Sequence, residues 1–166
     1  MKKIAFLLLF LSAGHLAFTQ TFAKNAIGIR FGSGSLVSSG AEVTYQRALS
    51  QKNRLEINAG FFDDNWYSGF NLAPTYQWVM PLEGQFNWFG GAGADVGSWS
   101  YKPDYLGLLH ESGFFMGVAG QIGIEYAFDF PLQLSLDYRQ SFYLVNGWNG
   151  QTAGGSVALS VRYLMD

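Results

Sequence analysis

The sequence predicts an all-β fold: an eight-stranded antiparallel up-and-down transmembrane β-barrel, preceded by a cleavable signal peptide. The first observation is that apolar and polar residues alternate, as in Pro131–Gln140, where Leu132, Leu134, Leu136 and Tyr138 occupy every second position. The second is that eight such segments follow one another, joined by connections that are alternately short and long. The third is that no apolar run after residue 23 is long enough for a membrane-spanning helix. A period of two indicates strands with two different faces, and this pattern is typical of barrels that cross a membrane.

Each predicted strand is an alternating segment that ends at polar, glycine or proline residues. In the fifth strand, for example, Phe86, Trp88 and Val96 share one face, whereas Asn87 and Asp95 share the other. The predicted strands are Lys24–Gly32, Gly40–Ala48, Arg54–Phe61, Ser68–Val79, Phe86–Gly97, Gly113–Tyr126, Pro131–Gln140 and Gly154–Tyr163.

The connections fall into two classes, which are expected at opposite ends of the barrel. The short turns, expected on the periplasmic side, are Ala48–Asn53, Met80–Gln85 and Ala127–Pro131. The longer connections, expected as outer loops, are Ser33–Ser39, Phe62–Tyr67, Ser98–Ser112 and Phe142–Ala153. Within the fourth strand, Pro74 cannot donate a ladder hydrogen bond, so a bulge or local break is expected there.

The first 23 residues have the pattern of a secretory signal peptide. Lys2 and Lys3 precede an apolar run, Ile4–Leu11, which is shorter than the roughly 20 residues that a spanning helix needs. Cleavage is expected after Thr19 or after Ala23, and residues 24–166 are expected to form the barrel domain. The chain has no cysteine, so no disulfide framework supports the exported domain. The sequence contains neither a basic patch that would suggest nucleic acid nor a charged tail.

Two features favour a membrane barrel over a soluble one. The polar face of the strands is also the face with small residues, which suits the narrow interior of an eight-stranded barrel and leaves the bulky apolar residues for lipid. Aromatic residues concentrate near the predicted strand ends, as in the aromatic girdles of membrane barrels. These expected interface aromatics are Tyr76, Trp78, Phe86, Trp88, Tyr126, Phe128, Phe130 and Tyr163.

Together with this pattern, the glycine-rich segment FGGAGADVG of strand five and the closing segment SVALSVRY resemble a known family. The chain is similar to the small outer-membrane β-barrels of the OmpA/OmpX type, especially the porin-family barrels common in Bacteroidota. The resemblance covers about Lys24 to Tyr163 and implies a location in the outer membrane of a Gram-negative bacterium. It also implies insertion by the barrel assembly machinery through a C-terminal aromatic residue; here Tyr163 is followed by Leu164, Met165 and Asp166.

The inward face carries charges of both signs at every expected height. Counted from the periplasmic turns, the lowest are Arg54, Glu56, Glu125 and Arg162, the middle ones Arg30 and Asp137, and the highest Glu42, Asp95 and Arg139. Because an unpaired charge in a narrow interior costs several kcal/mol, we expect these groups to pair into a network, with the planar forks of arginine binding the carboxylates. Phe89 and Phe115 add bulk to the same face. The expected result is a packed lumen without a continuous water channel.

Candidate chemistry is sparse. His110, Glu111 and Ser112 are the residue types that outer-membrane lipid A deacylases and palmitoyltransferases use, but a triad needs a geometry that three consecutive residues do not define. Asp63, Asp64 and Asn65 could offer oxygens to a hard cation, although three such side chains in a loop more often form a polar turn. Aromatic residues in or beside the outer loops could form a contact surface or an outer girdle: Trp66, Tyr67, Trp99, Tyr101, Tyr105, Tyr143 and Trp148.

The sequence therefore favours a non-enzymatic outer-membrane protein with a structural or surface-interaction role through its extracellular loops. The alternatives are a lipid A-modifying enzyme with His110 as the base, and a narrow solute pore. The expected surroundings are outer-membrane lipid and lipopolysaccharide, with a surface ligand possible at the outer loops. No spacing suggests a metal, a cofactor or nucleic acid.

Overall fold

A computed structural model describes residues 23–34, 40–63, 67–102, 112–145 and 152–165. The predicted eight-stranded fold is confirmed, because the strands form a closed barrel in which each pairs with its neighbours in sequence and β1 pairs with β8. All pairings are antiparallel. Within these ranges there is no helix long and apolar enough to cross a membrane. The strands are β1 (Asn25–Gly34), β2 (Gly40–Ala48), β3 (Asn53–Asp63), β4 (Tyr67–Pro81), β5 (Phe86–Tyr101), β6 (Ser112–Ala127), β7 (Leu132–Val145) and β8 (Ala153–Met165).

The two faces of the sheet have opposite polarity, and the polar face is the inside. Arg30 and Arg162 are fully buried, whereas Phe61 is 84% exposed on the outside. Along β7, Gln133, Ser135 and the next three odd-numbered residues are buried, and the intervening even-numbered residues are exposed or half-buried. A soluble barrel has the reverse arrangement. The amphipathic strands therefore give an interior of hydrogen-bonding groups inside an apolar outer surface.

The short connections are tight turns closed by backbone hydrogen bonds. The amide of Leu49 donates to the carbonyl of Asn53 at 2.9 Å, and Leu82 donates to Phe86 at the same distance. In the second of these turns Gly84 has a φ of 60°, a conformation that glycine adopts without steric cost. These turns define the periplasmic end of the barrel in the predicted orientation.

The strands extend further toward the opposite end than the sequence predicted. Residues 98–101 belong to β5 and residues 142–145 to β7, so the predicted loops Ser98–Ser112 and Phe142–Ala153 begin too early. In β7 the outer face stays apolar through Phe142 and Leu144, so the alternation simply continues past the predicted end. In β5 the physical reason is that the polarity of the two faces reverses. In β5, Ser98 and Ser100 share the outer face, while Trp99 shares the inner one. The alternation persists, but its apolar residues have moved inside.

The irregularity expected at Pro74 is a local break and not a bulge. On one side Pro74 stays paired with Ile57, and on the other the pairing of β4 with β5 is interrupted between Leu72 and Thr75 without a change of register. The missing proline N–H accounts for the interruption. The register does shift elsewhere, in β6 between Met116 and Gly117.

Candidate functional site in the barrel interior

The lowest charged layer of the interior is centred on Arg54 and Glu125. Two guanidinium nitrogens of Arg54 donate to the two carboxylate oxygens of Glu125 at 3.0 and 2.6 Å, which is the bidentate geometry that arginine prefers. The third nitrogen, Nε, donates to Gln77 Oε1 at 2.6 Å. The guanidinium also lies over the ring of Phe89, with 5.0 Å to its centroid. The guanidinium group of Arg54, which projects from β3, thus contacts side chains of β4, β5 and β6.

The second layer joins β8 to β3 through Arg162 and Glu56. Arg162 Nη2 donates to Glu56 Oε2 at 2.9 Å, and Nη1 donates to Ser135 Oγ at 2.7 Å. Glu56 also accepts from three amides: Gln46 at 2.6 Å, Asn58 at 2.9 Å and Gln121 at 3.2 Å. Both charged side chains are completely buried. The carboxylate exchanges its hydration shell for four protein donors, which offsets the cost of burying it.

The third layer contains two arginines that share one carboxylate. Arg30 donates to Asp137 at 2.7 Å and to Glu42 at 2.8 Å. Glu42 Oε2 also accepts from Arg139 Nη2 at 2.5 Å, and its Oε1 accepts from Asn71 at 2.8 Å. The sequence placed Glu42 and Arg139 one level above Arg30, and the structure brings all three together. Strands in a barrel are tilted, so residues at different distances from the turns can lie at the same height.

Asp95 is set apart from these layers. Its Oδ2 accepts a hydrogen bond from Ser141 Oγ at 2.8 Å, but it forms no ion pair with any residue that the structure describes. The structure therefore places all nine inward charges of the sequence analysis inside the barrel and joins eight of them in ion pairs. We call these eight the charge network: Arg30, Glu42, Arg54, Glu56, Glu125, Asp137, Arg139 and Arg162.

Above the charge network the interior is aromatic. Phe62, Phe115 and Tyr143 are buried against one another, and Tyr67 and Trp99 pack on them. The rings of Phe115 and Tyr143 meet edge to face, with centroids 5.5 Å apart. These five residues form the upper aromatic cluster. The sequence pattern predicts Phe115 in the interior but Phe62, Tyr67, Trp99 and Tyr143 in loops or an outer girdle. Their odd or even position along each strand matches that of the inward residues below them, and this is the signal that would have placed them inside.

The aromatics predicted for the membrane interface lie near the turn end, with several in ring contact. Phe86 and Tyr126 have centroids 4.7 Å apart, Tyr126 and Phe128 4.8 Å, and Phe128 and Phe130 5.0 Å. On β4, Tyr76 and Trp78 meet edge to face at 5.0 Å. Trp88 is half-buried and Tyr163 is exposed; both share the outer face of their strands. The outward side chains and their ring contacts fit a band at a lipid boundary.

The other candidates of the sequence analysis are dispersed or lie outside the described residues. Ser112 is exposed at the start of β6, and His110 and Glu111 lie outside the described ranges. Asp63 pairs with Lys102 at 2.5 Å, which gives this carboxylate a protein partner. Among the described residues, no three histidine, cysteine or acidic side chains are placed to hold a metal ion. The remaining candidates outside the described ranges are Asp64, Asn65, Trp66, Tyr105 and Trp148.

The described interior is closely filled. At the turn end, a cavity of about 30 Å³ lies among Ala26, Gln46, Arg54, Val79 and Gln133, a volume sufficient for about one water molecule. Higher up, the charge network and the upper aromatic cluster occupy the space between the strands. This arrangement suits mutual neutralisation and packing.

No protein-family model matches the sequence, and no curated protein matches it. Solved structures do resemble it. The neisserial surface protein A has a TM-score of 0.60 at 14% identity, over 85% of this chain and 94% of that one. The N-terminal β-barrel domain of Pseudomonas aeruginosa OprF has a TM-score of 0.66 at 11% identity, over 85% and 98%. The attachment invasion locus protein Ail of Yersinia pestis has a TM-score of 0.59 at 12% identity, over 86% and 99%. The chain thus has the fold of the small eight-stranded outer-membrane β-barrels.

Proposed function

We propose that the protein is a non-enzymatic β-barrel of the outer membrane, with a structural or surface-interaction role exercised through its extracellular loops. The observation that carries this proposal is the filled interior. Ion pairs and rings occupy the lumen, so the strands serve as a rigid membrane-embedded frame, and interaction with other molecules is left to the loops. The apolar outer face and the outer-membrane origin of the structural neighbours support the location.

The proposal excludes a solute pore, and conductance tests it directly. Purified protein in a planar lipid bilayer is expected to give no steady conductance steps, because the arginines and carboxylates of the charge network bind each other across the lumen. Its conductance is compared with that of a variant in which four members of the network are truncated to alanine: Arg30, Glu42, Asp137 and Arg139. Reproducible steps from the unchanged protein would refute the closed lumen.

The membrane location and orientation have their own test. We expect a heat-modifiable band in the outer-membrane fraction, and a mature amino terminus that follows Thr19 or Ala23. Protease added to intact cells is expected to cut within residues 103–111 and to spare the turn of residues 128–131. Cleavage of that turn from outside would reverse the orientation. Insertion is proposed to depend on the barrel assembly machinery, so its depletion is expected to reduce the folded band.

Lipid A analysis separates the proposed role from the enzymatic alternative. We expect mass spectrometry to show the same lipid A acylation with and without the gene. A changed acylation pattern that His110→Ala or Ser112→Ala abolishes, while the folded band persists, would establish a lipid A-modifying enzyme and overturn the proposal. Under either reading, we propose that the barrel is surrounded by lipopolysaccharide, which is the lipid of the outer leaflet.

A further inference from the structure

The inward charges of the described strands do not balance. Four arginines can each be matched with one carboxylate: Arg30 with Asp137, Arg139 with Glu42, Arg162 with Glu56, and Arg54 with Glu125. Every arginine buried in the described interior is used in this matching. Asp95 is then the one buried carboxyl left over. If all five acids were ionised, the described interior would carry one uncompensated negative charge.

The surroundings of Asp95 are poorly suited to an anion. Its exposed fraction is 1%, and Ser141 Oγ is the only described hydrogen-bond donor to its carboxyl group. The second oxygen, Oδ1, has no hydrogen-bond partner among the residues that the structure describes. Glu56, by contrast, accepts from an arginine and three amides. A buried ionised carboxylate without such partners costs several kcal/mol, and a buried group in this position commonly becomes neutral instead.

The ionisable groups that face Asp95 do not supply the missing charge. β7 contributes Arg139 and Tyr143, β2 contributes Glu42, and β1 contributes Arg30. Both arginines are already bound to Glu42, whose own negative charge opposes ionisation of Asp95.

The strands beside β5 add no charge at this height. In the row that Asp95 shares with Gly117 and Tyr143, β6 presents only a glycine, and its next inward residue, Phe115, belongs to the upper aromatic cluster. On β4 the nearest inward residues are Asn71 and Ala73.

We propose that Asp95 is a buried proton-binding site: its carboxyl group holds a proton in the folded barrel, and the described interior thereby has no net charge. The proton is taken from solvent as the barrel closes, because aspartate in an unfolded chain ionises near pH 3.9. The proposal is independent of the role of the outer loops.

Infrared spectroscopy of the folded barrel in detergent at pH 7 tests the site. The carbonyl-stretch band of a protonated carboxyl group is expected in the unchanged protein and in Asp137→Asn, and its loss is expected in Asp95→Asn. Absence of that band from the unchanged protein would overturn the proposal without reference to any variant.

Unfolding in urea gives a second readout. Asp95→Asn, which resembles the neutral acid, is expected to raise the midpoint at pH 7, because its folding requires no proton uptake, whereas Asp137→Asn lowers it. Between pH 5 and pH 7, the folding constant of the unchanged protein relative to Asp95→Asn is expected to fall about tenfold per pH unit, because folding takes up one proton. A constant ratio over that range, or equal losses of midpoint for the two variants, would show that Asp95 is ionised.

Discussion

Replacing Arg30 with alanine should destabilise the barrel severely. Arg30 is fully buried and donates to Asp137 at 2.7 and 3.2 Å and to Glu42 at 2.8 Å. The substitution leaves Asp137 without its cation, although Glu42 keeps Arg139. Removing one partner of a buried ion pair costs about 3–5 kcal/mol, since the remaining charge is neither solvated nor paired. With a urea dependence of about 1–3 kcal/mol per M, the unfolding midpoint should fall by at least about 1 M.

The assay is the loss of the heat-modifiable folded band across a urea series in detergent. Arg47→Ala is the matched control, because Arg47 is exposed and its truncation removes the same charge. The double variant Arg30→Ala/Asp137→Ala should regain part of the lost stability, because the uncompensated carboxylate is gone as well. An unchanged midpoint in Arg30→Ala, or simple additivity in the double variant, would refute the argument that the pair is coupled.

Three further substitutions test other parts of the interior by the same assay. Phe89→Ala should lower the free energy of unfolding by about 3–5 kcal/mol, because it removes a fully buried ring; a loss below 1 kcal/mol would mean that the interior is loosely packed. Gly93→Ala should reduce the yield of folded barrel, since its Cβ would lie 2.0 Å from a backbone carbonyl oxygen of β4, whereas Gly120→Ala meets nothing within 4 Å and should fold normally; equal yields would contradict this. Arg54→Lys should cost about 1–3 kcal/mol, because an ammonium group cannot reproduce the bidentate contact with Glu125, and full stability would show that charge alone suffices.

Much of the fold is predictable from the sequence because the two faces of the sheet meet different surroundings. An apolar outside and a hydrogen-bonded inside impose a strict period of two on every strand. In an antiparallel barrel, distance from the turn also gives approximate height. Counting from the turns placed Arg54, Glu56, Glu125 and Arg162 together in one group near the turns. The structure pairs them among themselves, Arg54 with Glu125 and Arg162 with Glu56, in two successive layers.

The upper part of the barrel was beyond such reasoning. There the outer face of β5 turns polar at Ser98 and Ser100, so a rule that expects apolar residues outside stops the strand too early. The height of Glu42 was also misjudged, because counting along strands ignores their tilt. The sequence also could not show which inward ionisable side chain, here Asp95, would lack an ion-pair partner among the described residues. This depends on whether a guanidinium approaches a carboxylate to within about 3 Å, and residue counting does not resolve such distances.

The charge network also bears on how the barrel closes. β1 and β8 pair with each other although almost the whole chain separates them, and such contacts carry a high loop-closure cost. Arg30 on β1 binds Asp137, 107 residues away, and Arg162 on β8 binds Glu56, 106 residues away. Both bonds cross the β1–β8 junction and form only when the ends of the sheet have met. Their partners on β7 and β3 are not adjacent to the junction, so the bonds bind each end to strands beyond its direct neighbour. The buried ion pairs therefore distinguish the closed barrel from an open sheet that keeps the other strand pairings but leaves β1 and β8 as unpaired edges.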